Sequence, residues 1–251
     1  MGILALRGSS VSLTRSHLSD HQVGGIVAFD SGTTLTASEI WLSDTKLDAD
    51  GKRGIGMVAG EGASLSVTRS WLSDHHTAGV LSGGSGTEVT ASEVWVSGTK
   101  PDADNMTGMG LVAIDDGSLT VSLARVSQSH SGAIAFFSAG GSVTESLLED
   151  TQLSGDLTGD GLVTTDSVVT VERIIARGNT RAGVLFDKSE GELSGSLITQ
   201  NALGLAHQGL PGVVITDDNV VKGNEQERID DGALKVPIGP MALPELPEGG
   251  P

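Results

Sequence analysis

Apolar and small polar residues alternate along this chain in short bursts. Leu65, Val67 and Leu72 alternate with Ser66, Thr68 and Ser73, and Leu119, Val121 and Leu123 do the same against Thr120 and Ser122. A period of two places the two sets on opposite faces of a strand, so these runs predict half-buried β-strands. A second strand follows a glycine turn at residues 25–29, 79–81, 133–137 and 183–186. The turns carry Gly, Ser, Asp and Asn, which supply positive φ and local side-chain hydrogen bonds. No stretch keeps helical spacing, and 36 glycines work against long helices.

The bursts recur. Residues 65–75 match residues 11–21, and residues 90–97 match residues 36–43, both at an offset of 54. Leu18-Ser19-Asp20 returns as Leu42-Ser43-Asp44, so the unit is a double one with unequal halves. The copies fade after about Ser167, while Val- and Leu-rich segments continue to about Val236. A fixed period of this length marks a stacked solenoid. Strands of three to five residues and roughly 22–30 residues per turn predict an all-β fold, a right-handed parallel β-helix of about nine coils. At ~4.8 Å per coil the rod is roughly 43 Å long. An antiparallel sandwich would explain the short strands but not the repeated identity, and no leucine-rich consensus recurs.

The expected organisation is a β-helix over residues 1–236 and a Pro-rich segment at 237–251. That segment reads as a C-terminal cap, with Ile238, Met241, Leu243 and Leu246 closing the core, or as a tail. Gly2-Ile3-Leu4-Ala5 aligns with Gly56-Met57-Val58-Ala59, so the chain is expected to start inside a coil. This predicts a helix truncated at its N-terminal edge, a signal peptide upstream, and self-association through open coil ends.

The blocks at residues 62–70 and 117–122, with paired turns such as Ala91-Ser92-Glu93-Val94, resemble the right-handed parallel β-helix repeat proteins of bacterial surfaces, within the pectate-lyase-like superfamily. The resemblance runs to about residue 236. It implies an extracellular or cell-surface location. It also spans lyases, hydrolases, epimerases, adhesins and inert spacers, so it specifies architecture far better than activity.

Composition narrows the partners. The net charge of −17 argues against nucleic acid, whose phosphates need cations, and against anionic membranes. It suits divalent cations. There is no cysteine, hence no disulfide and no thiolate chemistry, and no run of 18 apolar residues.

Three sets of side chains stand out. His17, Trp41, Trp71 and Trp95 occupy equivalent repeat positions, with Arg125 at the next step. Each precedes an inward residue, so alternation points it outward. Two readings of this column stand: rings that stack on one another, or platforms that bind sugar faces. Asp20, Asp44 and Asp74 form a second column, followed by His21 and His75, with His76 and His130 as a further pair. Turn aspartates usually bond backbone amides, and Gly98 and Gln128 interrupt the series. The third set is Asp48, Asp50, Asp102 and Asp104 in two long acidic turns, with Asp156 and Asp160 in a third. Asp48-Ala49-Asp50-Gly51 looks like the start of a Ca²⁺ loop, but the twelfth position is Ala59 and not Glu, so an EF-hand is excluded. Carboxylates of neighbouring turns sharing a Ca²⁺ remain an expectation, against solvated acidic turns. No other cofactor is expected.

Catalytic signatures are missing. His207 sits in Ala206-His207-Gln208-Gly209 and not in G-H-G, and no R-x-K occurs. Arg125, Arg173 and Arg177 are available as bases, but no recognisable pattern surrounds them. There is no P-loop, no G-x-S-x-G and no H-E-x-x-H. The sequence reading is a non-catalytic rod, structural or adhesive, with polysaccharide as its partner. A polysaccharide lyase or glycoside hydrolase with an unrecognised site is one alternative, and a self-assembling scaffold is another.

Overall fold

The computed structural model describes residues 1–155, 158–209 and 212–237. Among them there is no helix, and none therefore long and apolar enough to cross a membrane. Every strand pairing is parallel. The chain is a parallel β-helix.

Each turn has three arms. In the first turn they are Ser10–Thr14, His17–Ser19 and Val23–Phe29. The third-arm strands form a ten-stranded sheet that ends with Leu203–Gln208 and Gln226–Asp230. The first- and second-arm strands stack into the other sheet, with sixteen strands. In the third and fourth turns those two arms run together as Ser64–Ser73 and Glu88–Ser97. Counting from Ser10–Thr14 to Gly212–Ile215 along the first arm gives nine turns. Ile3, Ile26, Met57, Val80 and Leu111 stand one above another, so successive turns take 23, 31, 23 and 31 residues. The double unit of the sequence is this alternation of short and long turns.

The corners explain the turn residues. Left-handed backbone is needed at each bend, and Asp, Asn and Gly tolerate it best. Between the second and third arms it is taken by Asp20, Asp44, Asp74 and Gly98, with φ of 61°, 55°, 58° and 65°. Between the first and second arms it is taken by Arg15, Glu39, Arg69 and Glu93, with φ of 46° to 56°.

Inside, the columns are continuous. Leu35, Leu65, Val89 and Leu119 stack in register and are fully buried or nearly so. Deleting one such Leu would cost about 2–5 kcal/mol, because its neighbours are fixed by the ladder. The core column of the third arm ends where Leu205 pairs with Arg228.

The ten-stranded sheet departs from the expected half-buried pattern. Its outer residues, including Val27, Val58, Leu81, Val112 and Val163, are also fully buried. They form a second apolar layer, against which Leu6, Phe137, Ile229, Leu234 and Val236 pack. Buried on both faces, these strands read as continuous apolar runs and not as alternation. Gln208 fixes the approach of the C-terminal chain, accepting from the Leu234 amide at 2.8 Å and donating to its carbonyl at 2.9 Å. The expected cap residues Ile238, Met241, Leu243 and Leu246 lie outside the described residues.

A polar file also runs inside, at the start of the third-arm corner. It holds His75 in the third turn and Asn179, Asn201 and Asn224 in the last three. Glycine makes room for it: a Cβ on Gly56 would meet the Gly79 carbonyl at 2.5 Å and the His75 ring at 2.7 Å.

Candidate binding groove

The column His17–Trp41–Trp71–Trp95–Arg125 is in register along the second arm. Strand alternation sends these side chains out while Leu42, Leu72 and Val96 point in and are fully buried. The rings stack. Trp71 and Trp95 have centroids 4.2 Å apart at 17°, Trp41 and Trp71 6.3 Å apart at 30°. His17 lies 5.2 Å from Trp41 at one end, and the Arg125 guanidinium lies 4.6 Å over Trp95 at the other. Each ring contact of this kind contributes about 0.5–1.5 kcal/mol.

This geometry decides what the ladder offers a ligand. The ring faces are turned to one another, so a sugar cannot lie flat on them without breaking a stack. Ring edges, the positive rim of the aromatic quadrupole, are what reaches solvent. Trp41 and Trp71 remain about half exposed.

Beside the ladder runs the corner between the first and second arms. Its left-handed residues project charged side chains along the same line. Together they form an open groove of about 990 Å³, reaching from Arg15 and His17 to Arg173 and Ile175. Arg15, Glu39, Arg69 and Glu93 come first, then Leu123, Glu145 and Arg173. Leu147 and Ile175 continue the outward column beyond Arg125. Sequence periodicity alone overlooks this charged wall. The signal was present nonetheless, since Arg15 and Arg69 share one repeat position and Glu39 and Glu93 another.

Glu149 lies behind the groove wall and holds one of its residues, Arg125. It is 2% exposed, accepts from Arg125 Nε at 2.6 Å and from Arg177 Nη2 at 2.7 Å. Burial pushes its carboxyl up, but the hydrogen bonds and charges of Arg177 and Arg125 outweigh that and hold it below the usual range. It is therefore an ionised clamp and not a proton donor. The clamp fixes Arg125 over Trp95.

The acidic turns are arranged around lysine and arginine. Asp48 accepts from the Lys52 amide at 2.8 Å and from Arg53 Nε at 2.8 Å. Burial raises its carboxyl, and those donors lower it further, leaving it below the usual range. Asp102 accepts from the Asp104 and Met106 amides at 3.0 and 2.8 Å, and Asp104 is paired with Lys52. Asp50 stands apart in solvent. Of the four expected Ca²⁺ carboxylates, the structure brings Asp102 and Asp104 to one lysine and gives Asp48 to its own turn. Among the described residues no three His, Asp or Glu side chains converge as a metal site.

The Asp column is likewise relieved by cations. Lys46 meets Asp20 at 2.6 Å and Lys100 meets Asp74 at 3.0 Å. The hydrogen bond and charge of Lys46 lower the Asp20 carboxyl. His75 and His76 point opposite ways, His75 into the interior toward Thr45 and His76 to the Pro101 carbonyl.

The class of protein that fold and groove define is thus a parallel β-helix with one long charged and aromatic groove. No protein-family model and no curated protein matches the chain. Among solved structures, it is similar to the crystal structure of pectate lyase Pel9A, with a TM-score of 0.45 and 12% identity over 79% of this chain. The chain spans 60% of the length of that protein.

Proposed function

We propose that this chain is a non-catalytic, rigid rod of a secreted or cell-surface protein that holds an extended polysaccharide along the groove. The observation that carries the reading is the groove itself, which is continuous over seven turns and open along its length. A small ligand would want an enclosed pocket, whereas a groove parallel to the stack suits a polymer. Indole edges, guanidinium groups and carboxylates are the donors and acceptors that sugar hydroxyls pair with. Leu123, Leu147 and Ile175 supply apolar contact for C–H faces. What favours binding over catalysis is the even spread of charged groups along the turns, together with the clamped state of Glu149.

The test is retention of soluble polysaccharides by the immobilised full chain, with product analysis of the same incubations. Retention of an extended polysaccharide that Trp71→Ala weakens, with no new reducing ends or unsaturated sugars, is the expected result. Absence of retention across a broad panel, or retention indifferent to Trp71→Ala in a folded variant, would sink the reading. Chain cleavage would replace it with the enzyme alternative.

A further inference from the structure

The groove carries a charge pattern with its own period. Numbering turns from Ser10–Thr14, arginine lines the groove on turns one, three, five and seven: Arg15, Arg69, Arg125 and Arg173. Glutamate lines it on turns two, four and six: Glu39, Glu93 and Glu145. On the fifth turn the corner residue is Leu123, and the cation stands two residues along at Arg125. Like charges therefore recur every second turn, roughly 10 Å apart.

Apart from Arg125, which the buried Glu149 holds at 2.6 Å, these side chains are available. Arg15 and Glu93 have no side-chain partner among the described residues. Arg69 reaches Glu39 only at 3.4 Å, with both about half exposed. Arg173 holds Glu145 at 2.9 Å and is also paired with Glu172, all three partly exposed. Exposed pairs of this kind are worth little and yield to a ligand. The edges of Trp41 and Trp71 add positive rim between them.

We propose, resting on the polysaccharide reading above, that the ligand is an extended acidic polysaccharide with a two-sugar repeat, one uronate followed by one uncharged sugar. Two turns match the length of an extended disaccharide. Uronate carboxylates then fall on Arg15, Arg69 and Arg173, where guanidinium recognises carboxylate in a fork, while Arg125 keeps its fork on Glu149 and offers only its remaining charge. Hydroxyl or amide N–H groups of the uncharged sugar fall on the glutamates of even turns. The glutamates also select. A polymer with a carboxylate on every sugar places half its charges against Glu39, Glu93 and Glu145, and like charges across an interface are strongly disfavoured. A neutral polymer leaves the arginines unanswered. The protein's net charge of −17 strengthens the rejection of dense polyanions.

The probes are hyaluronan and unsulfated chondroitin, which alternate, polygalacturonate, with a carboxylate on every sugar, and neutral dextran, each titrated into the full chain by calorimetry. An alternating polymer is expected to bind at least about tenfold more tightly than polygalacturonate or dextran, with affinity falling as salt rises. Replacing Arg15 and Arg69 by Gln is expected to lower that affinity about tenfold. Arg173→Gln gives a second arm if that pair fails to fold. Equal or tighter binding of polygalacturonate or dextran would overturn the two-sugar register, as would Arg→Gln variants that bind hyaluronan and chondroitin unchanged. Retention of other glycans with no preference for alternating ones would remove this inference alone, whereas failure of every glycan would remove the polysaccharide reading with it.

Discussion

The first four turns and the last three solve one problem in two ways. In the first four, side chains at equivalent positions copy one another and stack. Outside, three tryptophans form a ladder; inside, the polar file holds His75 and Thr99, whose Nε2 and Oγ1 are buried with no partner among the described residues. In the last three turns the file becomes an asparagine ladder whose amides bond one another, while His207 Nε2, outside the file, is buried with no partner among the described residues. Asn201 accepts from the Asn179 amide at 3.0 Å and from its side chain at 2.9 Å, and donates to the Ala176 carbonyl and to Asn224. Repetition secures shape and stacking. Satisfying buried polar atoms depends on which residue is copied: the asparagine amide donates and accepts at once, whereas His75 and Thr99 each leave an atom unpaired.

That contrast can be broken by mutation. The largest effect is expected from Asn201→Ala, which strips several bonds from a residue only 2% exposed. A loss of about 3 kcal/mol in urea unfolding is expected. A loss below about 1 kcal/mol would mean that the ladder is not what secures the last turns.

His75 gives the next effect, through pH. Burial lowers its pKa from 6.5 to about 4. Its ring faces Thr45, with Asp74, His76 and Lys100 as the nearby charges. As pH falls the unfolded chain takes the proton first, so this contribution is complete above about pH 6.5 and is lost as pH drops toward 4. The slope is about 1.4 kcal/mol per pH unit in that window. His75→Thr, which copies Thr45 and Thr99 of the same file, should flatten it. An unchanged slope between pH 6.5 and 4.5 would show that His75 is not the group titrating.

Glu149→Gln should cost about 2 kcal/mol at pH 7, modest because Arg125 and Arg177 are about half exposed. Its carboxyl is held below 4.5, so its contribution persists above that pH and is lost below it, starting only at the lower end of the His75 window. Denaturation at pH 5 and pH 3 separates the two groups. Equal cost of the substitution at both values would contradict the clamp. Smallest is Trp71→Ala, about 1 kcal/mol for two half-exposed stacks. An effect as large as that of Asn201→Ala would mean that the ladder bears the fold and is not chiefly a groove floor.

Much of this architecture is legible from residues alone. The offset shared by Trp41 and Trp95, and by Leu18 and Leu72, places them in columns before any coordinates. Three features escape that reasoning. Arg15, Glu39 and Arg69 sit at left-handed corners, where strand alternation no longer states which way a side chain points. Val27, Val58 and Leu81 look like core positions beside Ile26, Met57 and Val80, because a strand buried on both faces does not alternate. The asparagine ladder follows 22- and 23-residue steps after the 54-residue copies stop. Its trace is the short run before each asparagine: Arg177-Gly178-Asn179, Thr199-Gln200-Asn201 and Lys222-Gly223-Asn224. In the acidic turns, Lys52 and Arg53 lie beside Asp48 in sequence, and they pair with Asp104 and Asp48.

The central claim is that the groove reads charge with a two-turn period, and reversing one half of that period tests it most directly. Glu39→Lys combined with Glu93→Lys makes the first four turns uniformly cationic. The ratio of hyaluronan to polygalacturonate affinity, measured by calorimetry on wild type and on the double variant, is the quantity to compare. The account predicts a ratio above about ten in the wild type that reverses in favour of polygalacturonate in the variant. A ratio that stays the same in a folded variant would contradict it.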